Sequence, residues 1–403
     1  MATSRYFILD LVDPGKRPDV RGFGPRLLGA GVPPRAFGGE RSPVTVAAAE
    51  LSPQEAAQER KREGRLLERA FPLKLITPTT KAAPNPAARG RPAWGVTATR
   101  ADRSPYDGTG VTVAVLDTGI NPAHEAFAAY GERLVVKDFT RTGGAGTDND
   151  GHGTHCAGTI FGRDVDGTRI GIARNVERAL IGKVLPDDGE GDAAILFEAM
   201  QWVHQQGANI VSMSLGFDYP GMVRQLIEEG VPDDVAASSA LVLFTRNLRA
   251  FDRLMSYFQV EKKMLVVAAS GNESRRTGAN QFLISASLPS SADHVVAIGA
   301  YGRHGRAFEI ASFSNTDVAL CGPGVDVLSA EAATNAGLVE MSGTSMACPH
   351  IAGLAALWWQ LLGRDANAER VREELLRAAV KSKLPAAYDE AQYGRGRAMA
   401  PAN

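Results

Sequence analysis

The sequence predicts an α/β fold: a mostly parallel, doubly wound sheet with helices on both faces, preceded by a small α+β N-terminal region. Two observations carry the prediction. Val111–Leu116 and Leu265–Ala269 are short continuous runs of β-branched and aliphatic residues, the pattern of strands covered on both sides. Runs of this kind alternate with Ala-rich and amphipathic helical stretches, as crossover connections between parallel strands require. Glycine, at 43 of 403 residues, exceeds the usual ~7%, which fits many tight turns around a site.

The elements follow in order. Residues 1–76 read as the α+β region. Strands are expected at Tyr6–Leu11 and Val44–Ala49, with a Gly-, Pro- and Arg-rich loop from Gly15 to Glu40 between them. Ser52-Pro53-Gln54-Glu55 supplies a cap, a proline at N1 and a glutamate at N3, so a helix is expected from there to about Ala70. Phe71–Ile76 adds a strand. Thr77–Ala93 is rich in Pro and Ala and reads as an exposed, semi-extended linker, the place for any chain cleavage. The main unit spans 94–403.

Within it, Val111–Leu116 ends in Asp117-Thr118-Gly119, and ligand groups of open α/β sheets gather at the carboxyl ends of strands. Alone, Asp117 also fits a turn cap. In Asp148–Ile160, small residues flank His152 before a helix begins. His152, His155 and Cys156 are spaced for one helical face, a possible zinc set, but no second Cys/His cluster completes four ligands. His155 is expected to be a buried structural histidine and Cys156 a small core residue. Gly343–His350 places Ser345 at the start of an apolar helix, where oriented N–H groups favour negative charge. Alone it also fits an N-cap; Pro349 is expected in the helix's first turn.

Aspartate, histidine and serine in this chain order match one lineage of catalytic triads. DTGI around Asp117, DGHGTHCAGT around His152 and GTSMACPHIAG around Ser345 resemble the signature blocks of subtilisin-like serine peptidases, the subtilases. Cys156, directly after the second histidine, is similar to the proteinase-K-type branch. The resemblance covers roughly three quarters of the chain and implies a subtilisin-like fold for 94–403. It implies a serine endopeptidase acting through Asp117, His152 and Ser345, with Asn272 after Leu265–Ala269 as oxyanion donor. It places Ser214, Leu215 and Gly216 on one cleft wall, with Ala268, Ala269, Ser270 and Gly271 lining the primary pocket. Gly182–Leu185 and the acidic loop 186–192 resemble the opposite rim; the acids read as a solvated loop or as a preference for basic residues upstream of the cut. Leu288-Pro289 stands where the family commonly carries a cis proline, and Tyr393–Ala398 resembles its closing segment. Residues 1–76 have the size of a prodomain or of a permanent accessory domain.

One departure is a longer stretch at about 217–263. Leu241, Phe244, Leu248, Phe251, Met255 and Phe258 recur every three or four residues, so a helical insertion is expected, packed on its own domain or forming a cleft wall or a protein-partner surface.

No cofactor is expected for the chemistry. Asp148-Asn149-Asp150-Gly151 and Asp164-Val165-Asp166-Gly167 offer oxygens for a structural calcium, without the closing glutamate of an EF-hand. A formal charge of −1 argues against nucleic-acid and membrane-surface partners, and no run approaches the ~18 apolar residues of a membrane span. Peptide or protein substrates remain. Three cysteines do not make a disulfide framework and the N-terminus lacks a secretory signal, so a cytoplasmic setting is expected. The rival readings are a dedicated precursor-processing or macrocyclising relative, and a catalytically silent peptide-binding protein.

Overall fold

The computed structural model describes residues 3–11, 44–83, 90–261 and 264–402; the expected loop 15–40 and part of the 77–93 linker lie outside them. The N-terminal region contains β1 (Ser4–Leu11), β2 (Val44–Leu51), α1 (Pro53–Glu59) and β3 (Arg65–Arg69), with the strands antiparallel in the order β2-β1-β3. Period-two alternation along β1 decides its packing. Tyr6 and Ile8 join Ala49, Ala56 and Leu67 in a small core under α1, whereas Phe7 and Leu9 face the main unit.

The capping box forms as expected: Ser52 N–H donates to Glu55 Oε2 at 2.8 Å, and Glu55 N–H to Ser52 Oγ at 3.4 Å. The helix ends at Glu59 rather than near Ala70. Gly64, at φ 77°, turns the chain, and Arg65–Arg69 pairs with β1 with Leu67 opposite Ile8. The tertiary ladder overrides helix propensity there. The next strands, β4 (Pro72–Leu75) and β5 (Thr80–Ala82), do not join this sheet.

The main unit begins with α2 (Trp94–Ala98), β6 (Thr112–Asp117), β7 (Leu134–Asp138), α3 (His152–Phe161), β8 (Arg178–Lys183), β9 (Glu190–Asp192) and α4 (Ala193–Gln205). It continues with β10 (Ile210–Met213), β11 (Leu215–Phe217), α5 (Tyr219–Glu228), α6 (Asp233–Glu261), β12 (Leu265–Ala269), β13 (Val295–His304) and β14 (Ala307–Ile310). It closes with β15 (Leu320–Pro323), β16 (Val327–Ala330), β17 (Leu338–Ser342), α7 (Thr344–Leu362), α8 (Ala368–Arg377) and α9 (Glu390–Tyr393). The central sheet runs β14-β13-β12-β10-β6-β8-β7, with β15 also on β13, and only β14 is antiparallel. Val113 and Val115 of β6 pack on one face with α3 and α7; Ala114 and Leu116 pack on the other with α4 and α6. That is the doubly wound arrangement expected, and the Leu288–Pro289 bond is cis.

The insertion contains two helices, α5 and α6, not one. Ala240, Asn247, Ala250, Phe251, Leu254, Met255 and Phe258 of α6 are buried. Leu241 is not part of the buried stripe: it is 57% exposed. Ala240 faces inward, and the next residue turns about 100° away.

Candidate active site

The sheet brings the expected residues to its carboxyl edge. Asp117 ends β6, Ser214 follows β10 and Asn272 lies just beyond β12, while His152 and Ser345 occupy the first turns of α3 and α7. Gly153 lets α3 approach the Asp117 turn, because a Cβ there would sit 2.3 Å from the Gly119 carbonyl oxygen. Asp148 fastens the same junction: it accepts from Thr118 Oγ1 (2.8 Å) and from the Thr154 N–H (2.8 Å) and hydroxyl (2.6 Å). Its carboxylate is thus committed to the turn. Asp164, of the second acidic stretch, pairs with Arg174 at 2.9 Å.

Asp117 Oδ1 lies 2.7 Å from His152 Nδ1, and both residues are buried. Burial alone would lower the His152 pKa, but the Asp117 charge beside it prevails and holds it well above the ordinary 6.5. His152 Nε2 is buried and has no hydrogen-bond partner among the described residues. His155 points elsewhere, bonding the Val327 carbonyl at 2.9 Å, and burial lowers its pKa to about 3. This is the structural histidine expected, and it takes no part in a metal set with its neighbours. Cys156 is buried as expected, but its Sγ also lies 3.8 Å from His152 Nδ1 and 3.4 Å from the Ser345 carbonyl oxygen.

Pro349 is placed deeper than expected, as the sixth residue of α7 and not in its first turn. Lacking an N–H, it leaves the Ser345 carbonyl without its helical donor. Ser214 Oγ (3.3 Å) and Cys156 Sγ (3.4 Å) take that carbonyl instead. Asn272 is fixed from the same helix, its Oδ1 accepting from the Thr344 N–H and hydroxyl at 2.9 Å each. A Cβ on Gly343 would come within 3.0 Å of Asn272 Nδ2.

The cleft is filled by the chain itself. β4 lies between β11 and β9, antiparallel to both, with Lys74 opposite Gly216 and Glu190. Ile76 N–H donates to the Ser214 carbonyl at 3.3 Å, and Leu75 N–H to the Gly189 carbonyl at 2.9 Å. Ser345 Oγ then donates to the Ile76 carbonyl at 2.7 Å, while Asn272 Nδ2 donates to the next carbonyl, Thr77, at 2.9 Å. Beyond it, Thr79 N–H bonds the Ser342 carbonyl at 2.7 Å and β5 pairs with β17. Thr77–Ala82 is therefore partly a docked strand, where the sequence suggested an exposed linker.

Of the residues expected on the cleft wall, Ser214 takes the Ile76 N–H on its carbonyl, and Leu215 and Gly216 of β11 pair with Leu75 and Lys74 of β4. Ala268 and Ala269 are buried within β12, Ser270 Oγ is buried without a partner among the described residues, and the Gly271 N–H donates to Thr344 Oγ1 at 3.2 Å. The acids of loop 186–192 are largely engaged internally. Asp187 holds Lys183 Nζ and Asn149 Nδ2 at 2.6 Å each, and Asp192 caps α4 and pairs with Arg5 at 3.1 Å. Lys74 is faced instead by Asp218 (3.8 Å) and Glu273 (3.6 Å), which sequence reasoning missed.

Residues 108–396 match the model of the subtilase family. A cuticle-degrading serine protease of Arthrobotrys oligospora is 31% identical over 69% of this chain and 58% of its own length. An intracellular serine protease of Paenibacillus polymyxa is 30% identical over 72% of this chain and 78% of its own. A crystal structure of a cold-adapted subtilisin-like serine proteinase superimposes with a TM-score of 0.53 at 27% identity, over 74% of this chain and 92% of that one. The matches span 58%, 50% and 52% of three of the relatives, so the chain covers little more than half their length. A match of this extent, over a sheet edge built in this way, has one meaning: the chain belongs to the subtilase family.

Proposed function

We propose that this protein is a serine endopeptidase whose intact chain rests with residues 71–82 lying through its own cleft. The observation that carries the reading is that Ser345 Oγ and Asn272 Nδ2 hold two successive carbonyls, those of Ile76 and Thr77, at the sheet edge that also carries the Asp117–His152 pair. In the reaction, Ser345 Oγ attacks a peptide carbonyl carbon while His152 Nε2 takes its proton. His152 then returns the proton to the leaving amine, and water resolves the acyl-enzyme. Asp117 holds the ring's tautomer and stabilises the imidazolium. Asn272 Nδ2 stabilises the charge on the carbonyl oxygen. All of this needs no cofactor.

The resident segment supports a resting form. Attack requires one peptide group to present its carbon to the serine and its oxygen to the oxyanion donor. Here the two contacts fall on adjacent peptide groups: the serine hydroxyl is spent as a donor to Ile76, and Asn272 holds Thr77. His152 Nε2 has no partner among the described residues, as a serine hydroxyl turned to Ile76 would leave it. Residues 1–76 thus act as an inhibitory N-terminal region. The free, buried state of Cys156, Cys321 and Cys348 and the relative named an intracellular serine protease support a cytoplasmic setting.

The test is intact mass after fluorophosphonate treatment of the full-length protein, with Ser345→Ala alongside. One slowly acquired adduct on the wild type and none on the variant is expected. Loss of the N-terminal region in the wild type alone would make that region self-removed. If no adduct forms even when the segment is expelled by Leu73→Glu and Leu75→Glu, the peptidase reading falls and a silent peptide-binding protein remains.

A further inference from the structure

The contacts made by the resident segment do not end at β4. Phe71, just upstream, is fully buried. Its ring stacks on Phe217 at a centroid distance of 5.7 Å and meets the edge of Phe244 of α6 at 5.6 Å. Tyr219 braces Phe244 at 6.2 Å. One turn along α6, Asn247 is buried, and its Oδ1 accepts the Phe71 N–H at 3.3 Å. Its Nδ2 donates to the Arg69 carbonyl at 3.0 Å and to Leu243 of its own helix at 2.9 Å. An amide that gives to one carbonyl and takes the N–H two residues on does what a neighbouring strand would do. It reads backbone without regard to sequence, while the aromatic pocket reads one side chain.

These groups all belong to the 217–263 stretch, the part in which the sequence departs from the family pattern. The N-terminal region also docks on this stretch through the Arg69–Glu229 and Glu68–Arg246 ion pairs. That region is already held on α4, where Ala48 N–H donates to Glu198 Oε1 at 2.9 Å, Val46 N–H donates to Gln201 Oε1 at 3.0 Å and Phe7 packs on Phe197 at 4.6 Å. Phe71 and the cleft are joined by a single extended run, so the pocket's register against Ser345 is fixed by β4.

We propose that α5 and α6 extend the substrate cleft with a subsite for a bulky aromatic side chain, placed at the sixth residue upstream of the cleaved bond. Asn247 clamps the substrate backbone beside it. The inference rests on the peptidase reading above and treats the resident segment as a stand-in for substrate.

The test uses the full-length chain carrying Leu73→Glu and Leu75→Glu, which puts charges where the cleft buries two leucines and so frees it. Two internally quenched peptides share Leu-Lys-Leu-Ile before the bond and differ only in Phe-Pro or Ala-Pro ahead of it. The expected kcat/KM ratio, Phe over Ala, is about tenfold or more, the size of one well-packed ring. Adding Phe244→Ala, or Phe244→Leu where the alanine variant does not fold, brings the ratio to about one. Asn247→Leu lowers both peptides together and keeps the ratio, since the clamp acts on backbone. A ratio near one in the parent overturns the proposal and leaves the insertion as a dock for the chain's own N-terminal region. Hydrolysis of neither peptide removes the peptidase reading itself, an outcome distinct from hydrolysis without selectivity.

Discussion

The two halves of the resident segment make unlike contacts with the cleft. Upstream of Ser345, Phe71, Leu73, Leu75 and Ile76 are buried and the backbone is paired on both flanks, to β11 and to β9. Downstream, Thr77 and Thr79 are exposed and β5 is paired, among the described residues, on one flank only, to β17. Apolar burial is worth roughly 25 cal/mol per Å², so affinity resides in the upstream half. The downstream half mainly sets where the chain leaves. Holding is thus assigned to the upstream stretch, and the Ser345 and Asn272 contacts fall on the seam between the two.

The sharpest way to break this asymmetry is to charge each half in turn. Leu73→Glu removes about 2–3 kcal/mol of apolar burial and adds the cost of desolvating a carboxylate. Fluorophosphonate labelling of Ser345 should accelerate by about 100-fold or more. Thr79→Glu, on the exposed half, should change that rate by no more than about threefold. Equal acceleration by both would end the comparison.

At the seam, Asn272→Ala in the freed chain should lower kcat by about 10²–10³ with KM little changed, as the proposed role of the amide on the developing charge requires. The pH dependence sharpens the same point. The pKa of His152 is raised above 6.5 in the intact chain, so the neutral base appears only as pH climbs through that raised value. Labelling of the intact chain should inflect above 6.5, and Asp117→Asn should move the inflection down. The sign for stability is the opposite: the Asp117–His152 pair contributes fully below 6.5, and that contribution fades as pH rises through the raised value. The smallest effect belongs to Lys74. Its partners stand at 3.6–3.8 Å and its side chain is 38% exposed. Such pairs are worth at most about 1 kcal/mol, so Lys74→Ala should speed labelling by no more than about fivefold.

Much of the site was legible because its residues sit in short local motifs. Asp117, His152, Ser345 and Asn272 each follow a strand or open a helix whose pattern is visible within ten residues. The contacts that orient them were not, since they join distant segments: Thr344 to Asn272, Cys156 and Ser214 to the Ser345 carbonyl. Apolar residues at 71, 73 and 75 did announce a strand, yet a strand's pattern does not name its partners, and these lie on β9 and β11 more than 100 residues away. The α1 boundary failed for a related reason, as pairing with β1 won over a helical pattern. Asn247 gave no signal, because an asparagine on the buried face of a helix reads as an interruption until the backbone it clamps is in view. Leu241 was misplaced because every-third-or-fourth spacing admits two neighbouring registers, and only the packing of Ala240 selects one.

The docking of the N-terminal sheet on α4 gives the segment an effective concentration. While β1 and β2 stay on that helix, β4 is a tethered ligand that rebinds within its own molecule, so severing the chain at the seam does not by itself empty the cleft. Dilution would act slowly, through the dissociation rate of the whole N-terminal region, and the lag before full turnover would be independent of protein concentration. A protein cut and yet silent would therefore be a timed one, its delay written in the contacts of β1 and β2 with α4, far from Ser345.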